Sequence, residues 1–171
     1  GRIQGIDFLQ LCRCGWAQDL SLPVADRAML HADNAYHLPH VRIESHRLKT
    51  NTQSATAFRG FGGPQGMVGI ERVMDHIAHA LRLDPLEVRR RNLYGAAPRN
   101  VTPYHMPVED NIAPALIDQL VETSDYAARK TQIAAWNAET PVLKIGIALT
   151  PVKFGISFTH THLNQAGALV H

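Results

Sequence analysis

The feature that most constrains the fold is a periodic apolar pattern that follows a glycine-rich stretch near the middle of the chain. Apolar residues recur there at steps of three and four, which places them on one face of a helix. They are Met67, Ile70, Met74, Ile77 and Leu81. A second helix is predicted directly afterwards, because Asp84 is a capping residue, Pro85 suits a first turn and Glu87 is placed to bond back.

The segments before this pattern read as strand, helix and strand. Residues 3–14 carry apolar side chains with little polar interruption, which predicts a strand buried on both faces. A short helix begins at Ser21 and ends near Asn34, and residues 41–49 alternate as a half-buried strand does. Together with the two helices, these segments predict an α+β fold of mixed strands and helices.

The second half of the chain has weaker signals. Residues 96–109 contain three prolines and no period, which predicts a long loop, and Asp110 is expected to cap the helix that follows. Another helix is expected to begin at Ser124. Two strands are predicted, at residues 142–152 and 153–159, before a run of small residues at 164–170, and the last residues, 166–171, read as part of a buried strand.

Composition limits the classes of function. In 171 residues, 45% are apolar and 19% charged, which is enough to bury a core, and length alone would suggest one domain. The net charge of +2 is too small to indicate a nucleic-acid surface. The apolar runs are shorter than the roughly 20 residues that span a bilayer. We therefore expect neither nucleic acid nor a membrane as partner.

No complete active site is visible in the pattern of reactive residues. Cys12 and Cys14 share one face of a strand, so we expect them to be reduced, and two thiols cannot complete a zinc or iron-sulfur site. No secretory signal precedes them, and the cytoplasm is the expected compartment. The ten histidines follow no known metal-ligand spacing. Any chemistry must therefore come from a cofactor or from another part of the protein.

The glycine-rich loop, residues 59–66, is the strongest candidate for a binding element. Such a loop lets main-chain donors approach an anion or polar cofactor, aided by the dipole of the following helix. It lacks the lysine of a phosphate-binding loop and the spacing of a dinucleotide fingerprint, so a tight turn that only packs the helix is the alternative. Phe58 and Phe61 could hold the loop in the core or offer a ring to a flat ligand.

Four stretches in the same order resemble a known family. These are residues 26–34, 50–65, 87–94, and 153–159 continuing to 163–171. They are similar to the molybdopterin-binding subunit of the xanthine dehydrogenase and aldehyde oxidase family of molybdenum hydroxylases. The resemblance implies that residues 1–171 are part of a large molybdopterin-binding domain. It also implies hydroxylation of an aromatic heterocycle or aldehyde at an electron-poor carbon.

The resemblance assigns roles to five residues. Arg27 resembles the arginine that pairs with a purine oxygen, which favours hypoxanthine and xanthine, oxidised towards urate, over an aldehyde. Phe61 and Phe158 resemble two rings that clamp a flat substrate, and Thr159 resembles a hydroxyl partner of a substrate heteroatom. Arg59 resembles the position whose backbone N–H binds an oxygen ligand of molybdenum, the one cofactor contact expected in this chain.

The resemblance also implies what the chain lacks. It places the general base, which is the family's catalytic glutamate, a second substrate-contacting glutamate and most pterin contacts before Gly1 or after His171. Neither end reads as a natural terminus, so we expect the protein to continue beyond both. The isolated segment is therefore expected to be inactive. Iron-sulfur clusters and FAD are expected on partner domains or chains, in an oligomeric full-length protein. The alternatives are another molybdenum hydroxylase, acting on an aldehyde or N-heterocycle, and a non-catalytic truncated fragment.

Overall fold

The computed structural model describes residues 1–171 as an α+β arrangement, which confirms the predicted fold class. The elements are β1 (Ile6–Gly15), α1 (Ser21–Leu30), β2 (Val41–Lys49), α2 (Gly63–Leu81), α3 (Pro85–Asn92), α4 (Ala113–Thr123) and α5 (Tyr126–Glu139), with a short 3₁₀ turn at Thr161–Leu163. None of the helices has the combined length and hydropathy that crossing a membrane requires.

Strands β1 and β2 form a two-stranded parallel sheet connected through α1. Ile6 lies opposite Val41, and the register is kept as far as Arg13. The prediction that β1 is buried on both faces is wrong, because Leu9 and Leu11 are 62% and 61% exposed. Alternate residues of β1 turn towards α1, whereas nothing in the chain covers the other face.

The periodic helix is confirmed as α2. Ile70 and Met74 are fully buried, as expected for the centre of its apolar face, while Leu81 at its end is half exposed. The next helix, α3, begins where predicted: a carboxylate oxygen of Asp84 accepts hydrogen bonds from the N–H groups of Leu86 at 2.7 Å and Glu87 at 3.4 Å.

Two predictions in the second half of the chain are wrong. The side chain of Asp110 does not cap α4; that helix begins after Ile112, and Asn111 accepts from the N–H of Ala113 at 3.3 Å. The strands predicted at residues 142–152, 153–159 and 166–171 are absent, because extended segments become strands only beside a hydrogen-bonding neighbour, and the one sheet of this chain contains only β1 and β2.

The chain divides into two compact units. The helical unit comprises residues 1–2, 35–37 and 74–152, and its core includes Tyr36, Val88 and Ile117. The sheet unit comprises residues 3–34, 38–73 and 153–171. All five residues to which the resemblance assigns a role lie in the sheet unit.

Candidate functional site

Helix α1 places Arg27 in the interior of the sheet unit, where only 3% of the arginine is exposed. Its two terminal nitrogens donate to the main-chain carbonyls of Gly155 and Ser157, and its Nε has no partner. The guanidinium carbon lies 5.8 Å from the ring centre of Phe61 and 5.1 Å from that of Phe154. Burial lowers the pKa of Arg27, but a guanidinium stays charged in proteins, so the site contains a buried cation that no carboxylate neutralises.

The glycine loop reaches this cation through an unusual backbone. Gly60, Phe61 and Gly62 have φ angles of +87°, +52° and +101° in succession. Glycine adopts this left-handed region without strain, whereas a phenylalanine does so only where its surroundings hold it. The turn is closed by hydrogen bonds from the N–H of Phe61 to the carbonyl of Phe58 at 2.7 Å and from Gly63 to Gly60 at 2.9 Å.

Two glycines let the loop and the start of α2 lie against α1. A Cβ atom added at Gly62 would come 2.0 Å from the carbonyl oxygen of Val24, and one added at Gly66 would come 2.1 Å from that of Ala28. No side chain fits at such distances. The close approach of main chain to main chain therefore fixes the loop beside the helix that carries Arg27.

The structure brings four of the five predicted residues together. The rings of Phe61 and Phe158 form a tilted pair, with centres 5.1 Å apart and planes at 52°. The hydroxyl of Thr159 donates to the carbonyl of Pro23, in the first turn of α1, at 2.7 Å. Arg27 lies within reach of the Phe61 ring.

Arg59 lies on the turn before Phe61 and its side chain is exposed. The hydrogen bonds that close the turn are donated by Phe61 and Gly63, so the N–H of Arg59 remains available to a ligand. The loop therefore offers a main-chain donor at its surface, and the absence of a Cβ at Gly60 keeps the neighbouring position small.

Sequence reasoning missed the residues that hold segment 153–159 over Arg27. Three polar residues that follow α1 bind the first residues of segment 153–159. The Nε2 atom of His31 accepts from the N–H of Gly155 at 3.0 Å, and Asn34 accepts from the N–H of Lys153 at 3.1 Å. The ammonium of Lys153 pairs with the carboxylate of buried Asp33 at 2.9 Å. The signal available in the sequence was a run of polar residues immediately after an amphipathic helix.

The contacts of His31 determine which nitrogen carries its proton. Because Nε2 accepts from Gly155, the proton lies on Nδ1, which donates to the carbonyl of Arg27 at 2.8 Å. Desolvation by burial is the main cause that lowers the pKa of His31; the Arg27 carbonyl and Asp33 oppose it, and the positive charges of Lys153 and Arg27 add to it. The imidazole is therefore held neutral.

A sequence model described as the molybdopterin cofactor-binding domain matches residues 1–93, more than half of the chain. The chain belongs to this family. Among curated relatives, a nicotinate hydroxylase of Emericella nidulans is 44% identical over 99% of the chain, and a xanthine dehydrogenase/oxidase of Mus musculus is 41% identical over all of it. The chain spans about 13% of the length of each.

Solved structures agree with this molybdopterin-domain assignment. An aldehyde oxidoreductase from Desulfovibrio gigas matches with a TM-score of 0.63 and 29% identity, covering 81% of this chain and 15% of that one. An aldehyde oxidoreductase from Desulfovibrio desulfuricans has a TM-score of 0.70 at 23% identity, covering 79% and 14%, and this likeness concerns the fold alone.

The glycine loop fits contact with a molybdopterin cofactor through its main chain. The N–H of Arg59 is a free donor beside a glycine, at a loop that α1 holds in place. The chain contains no group of three or more His, Cys, Asp or Glu residues suited to ligating a metal. The donor that the loop presents is thus a main-chain N–H and not a metal-ligating side chain.

Proposed function

We propose that the chain forms one wall of the active site of a xanthine dehydrogenase-type molybdenum hydroxylase, which oxidises hypoxanthine and xanthine towards urate. The observation that carries the proposal is the un-neutralised, buried guanidinium of Arg27 beside the aromatic pair of Phe61 and Phe158. This combination suits a flat ligand whose oxygen gains negative charge as it reacts. Several relatives that are 40–41% identical are xanthine dehydrogenases.

Arg27 is proposed to bind and polarise the purine oxygen. Its terminal nitrogens already donate to two carbonyl oxygens, of Gly155 and Ser157, so the site is built to present a guanidinium to neutral oxygen acceptors. A substrate oxygen would take the place of these carbonyls. Binding therefore requires the main chain at residues 155–157 to shift away from Arg27, while Phe158 and Thr159 stay at the site.

The aromatic pair and Thr159 are proposed to orient the ring. The rings of Phe61 and Phe158 pack against each other with their centres 5.1 Å apart. A flat substrate must therefore separate the two rings or lie across their edges. The hydroxyl proton of Thr159 is directed at the carbonyl of Pro23, which leaves its oxygen as an acceptor for a ring N–H.

Arg59 is proposed to donate its main-chain N–H to an oxygen ligand of molybdenum. When bound, the molybdenum cofactor supplies the two-electron oxidation of the heterocycle. The general base, the remaining pterin contacts, and the iron-sulfur and FAD centres are proposed to belong to other parts of an oligomeric full-length protein. The cysteines are free, in keeping with a cytoplasmic location.

A second candidate is hydroxylation of nicotinate, favoured by the 44% identical relative. In that reaction Arg27 would bind the carboxylate of nicotinate, for which the guanidinium fork is equally suited. An aldehyde is a third possible substrate, and it would use the Arg27 cation least.

The full-length enzyme carrying Arg27→Ala distinguishes these substrates. We expect kcat/KM for xanthine to fall by about 10²–10³-fold, the usual loss for one donor to a developing oxyanion, while turnover of benzaldehyde is retained. Arg27→Lys keeps the charge and tests positioning, and Arg72→Ala, an exposed arginine of α2, is the control. Equal losses for xanthine and benzaldehyde at unchanged molybdenum content would contradict the proposal. Activity on nicotinate alone would favour the second candidate.

The 171-residue chain by itself is expected to form no urate from xanthine, because the general base is proposed to lie outside it. Urate absorbance and molybdenum content, measured on the purified chain, test this. Turnover at the rate of the intact enzyme would contradict it. Absence of turnover in the full-length protein as well would favour the non-catalytic alternative.

A further inference from the structure

A basic cavity lies in the helical unit, apart from the residues described above. Its volume is about 320 Å³, within the range of small-molecule sites. Four arginines line it: Arg2, Arg90, Arg91 and Arg99. Apolar side chains of Leu93, Pro114 and Ile117 form part of its wall, Tyr94 and Gly95 also line it, and Asp118 is its only acidic residue.

The charges of this cavity do not balance. Arg90 pairs with Asp118 at 2.6 Å, and Arg91 pairs with Glu87 at 2.8 Å. Arg99 donates only to neutral main-chain carbonyls, those of Leu93 at 2.9 Å and Arg91 at 3.2 Å. Arg2 forms no ion pair within the chain. Two positive charges are therefore left without a counter-charge at one cavity.

Hydrogen bonds hold the guanidinium of Arg99 and the main chain beside Arg2 in place. The side-chain amide of Asn92 donates to the carbonyl of Gly1 at 2.7 Å, which fixes the main chain next to Arg2. The bonds of Arg99 to α3 and the residue after it fix that guanidinium. Burial lowers the pKa of Arg99 and the charge of Arg2 lowers it further, in keeping with two like charges facing one space.

We propose that this cavity binds a small organic phosphate, with the phosphate group between Arg2 and Arg99 and an apolar body against Leu93, Pro114 and Ile117. A phosphate monoester carries close to two negative charges at neutral pH, which matches the two unpaired arginines, whereas a carboxylate carries one. Arginine binds phosphate through paired N–H donors, and the apolar wall favours an organic ester over the free ion. This site is independent of the proposed hydroxylase activity.

Titration of the full chain with phenyl phosphate by calorimetry tests the proposal, with inorganic phosphate and benzoate as comparison ligands. We expect phenyl phosphate to bind more tightly than either, and its affinity to fall as salt is added. Arg2→Gln should weaken binding by about tenfold, the usual contribution of one charge-assisted contact. Asp118→Asn should strengthen it by about threefold, because it removes the acid and releases Arg90.

The control is Arg129→Gln, which removes the same charge from an exposed position of α5 outside the cavity, and it should bind as the unmodified chain does. Thermal unfolding identifies a variant that fails to fold. Arg2→Lys retains the charge, and its affinity for phenyl phosphate should lie between those of the unmodified chain and Arg2→Gln. Absence of phenyl phosphate binding would overturn the proposal. Equal losses in Arg2→Gln and Arg129→Gln, or benzoate affinity equal to that of phenyl phosphate, would overturn it as well.

Discussion

The protonation state of His31 affects how segment 153–159 is held over Arg27. Its ring accepts from Gly155 and donates to the Arg27 carbonyl, so one neutral side chain joins helix α1 to segment 153–159. A protonated imidazole has two donors and no acceptor. Protonation therefore removes the partner of the Gly155 N–H and places a cation beside Arg27 and Lys153.

Stability should consequently depend on pH through His31. Its pKa in the folded chain lies below the ordinary value of 6.5, so the unfolded chain binds the proton more tightly. The stabilising contribution is complete above pH 6.5 and is lost as the pH falls through the lower, folded pKa. Urea unfolding at several pH values should show this fall, and His31→Gln should show a smaller one. An imidazole NMR titration midpoint above 6.5 would contradict the prediction.

Among single residues, the roles of Arg27, Phe61, Phe158 and Thr159 could be predicted only from the resemblance. No spacing rule joins residue 27 to residues 158 and 159, which lie more than a hundred positions further along the chain. The polar anchors were missed because His31 and Asn34 are ordinary residues at the end of a helix until their partners are known. Their partners are main-chain N–H groups, which nearly every residue type has, so the sequence does not identify them.

At the scale of elements, the contact between α1 and the start of α2 determines where the glycine loop lies. Gly66 and Gly69 stand one turn apart on α2 but face different surroundings. A Cβ at Gly66 would meet the carbonyl oxygen of Ala28 at 2.1 Å, whereas a Cβ at Gly69 meets nothing closer than 4.0 Å.

Gly66→Ala is therefore expected to lower the free energy of unfolding by about 1–3 kcal/mol, as overpacked substitutions do. Gly69→Ala is its matched control and should raise the same free energy by about 0.5–1 kcal/mol, since alanine is the better helix former. Chemical denaturation of both variants measures the difference. Equal effects of the two substitutions would contradict a close main-chain contact between α1 and α2 at Gly66.

Elements were predictable where their signals are local. The stripe of α2 and the cap of α3 depend on residues within a few positions, and both are confirmed. The strand predictions for residues 142–152, 153–159 and 166–171 were wrong because strand formation depends on a neighbour elsewhere in the chain. Alternation alone shows that a segment can be extended, and it says nothing of whether a partner is present.

At the scale of the molecule, the sheet unit leaves the outer face of β1 uncovered. Leu9 and Leu11 are more than half exposed, and Leu48 of β2 is 43% exposed. Neighbouring apolar side chains on one sheet face form a patch that favours association. The unpaired edges of a two-stranded sheet add to this tendency.

The 171-residue chain is accordingly expected to self-associate, and the double variant Leu9→Thr, Leu11→Thr to do so less, since threonine keeps the strand propensity and removes apolar surface. Light scattering across a concentration series measures the effect. Val101→Thr, which alters an exposed apolar residue of the helical unit, is the control. If scattering is the same for all three proteins, the β1 face is not the associating surface.

The left-handed backbone of Phe61 has a consequence for how this site can vary. A phenylalanine at φ +52° holds a conformation that glycine or asparagine would adopt with less strain, by an amount of order 1 kcal/mol. Selection for stability alone would thus favour replacing Phe61 and losing its ring beside Arg27. Retention of an aromatic residue at position 61 is then a measure of selection for the site itself. Replacement by glycine or asparagine at this position would indicate a lineage in which that selection has relaxed.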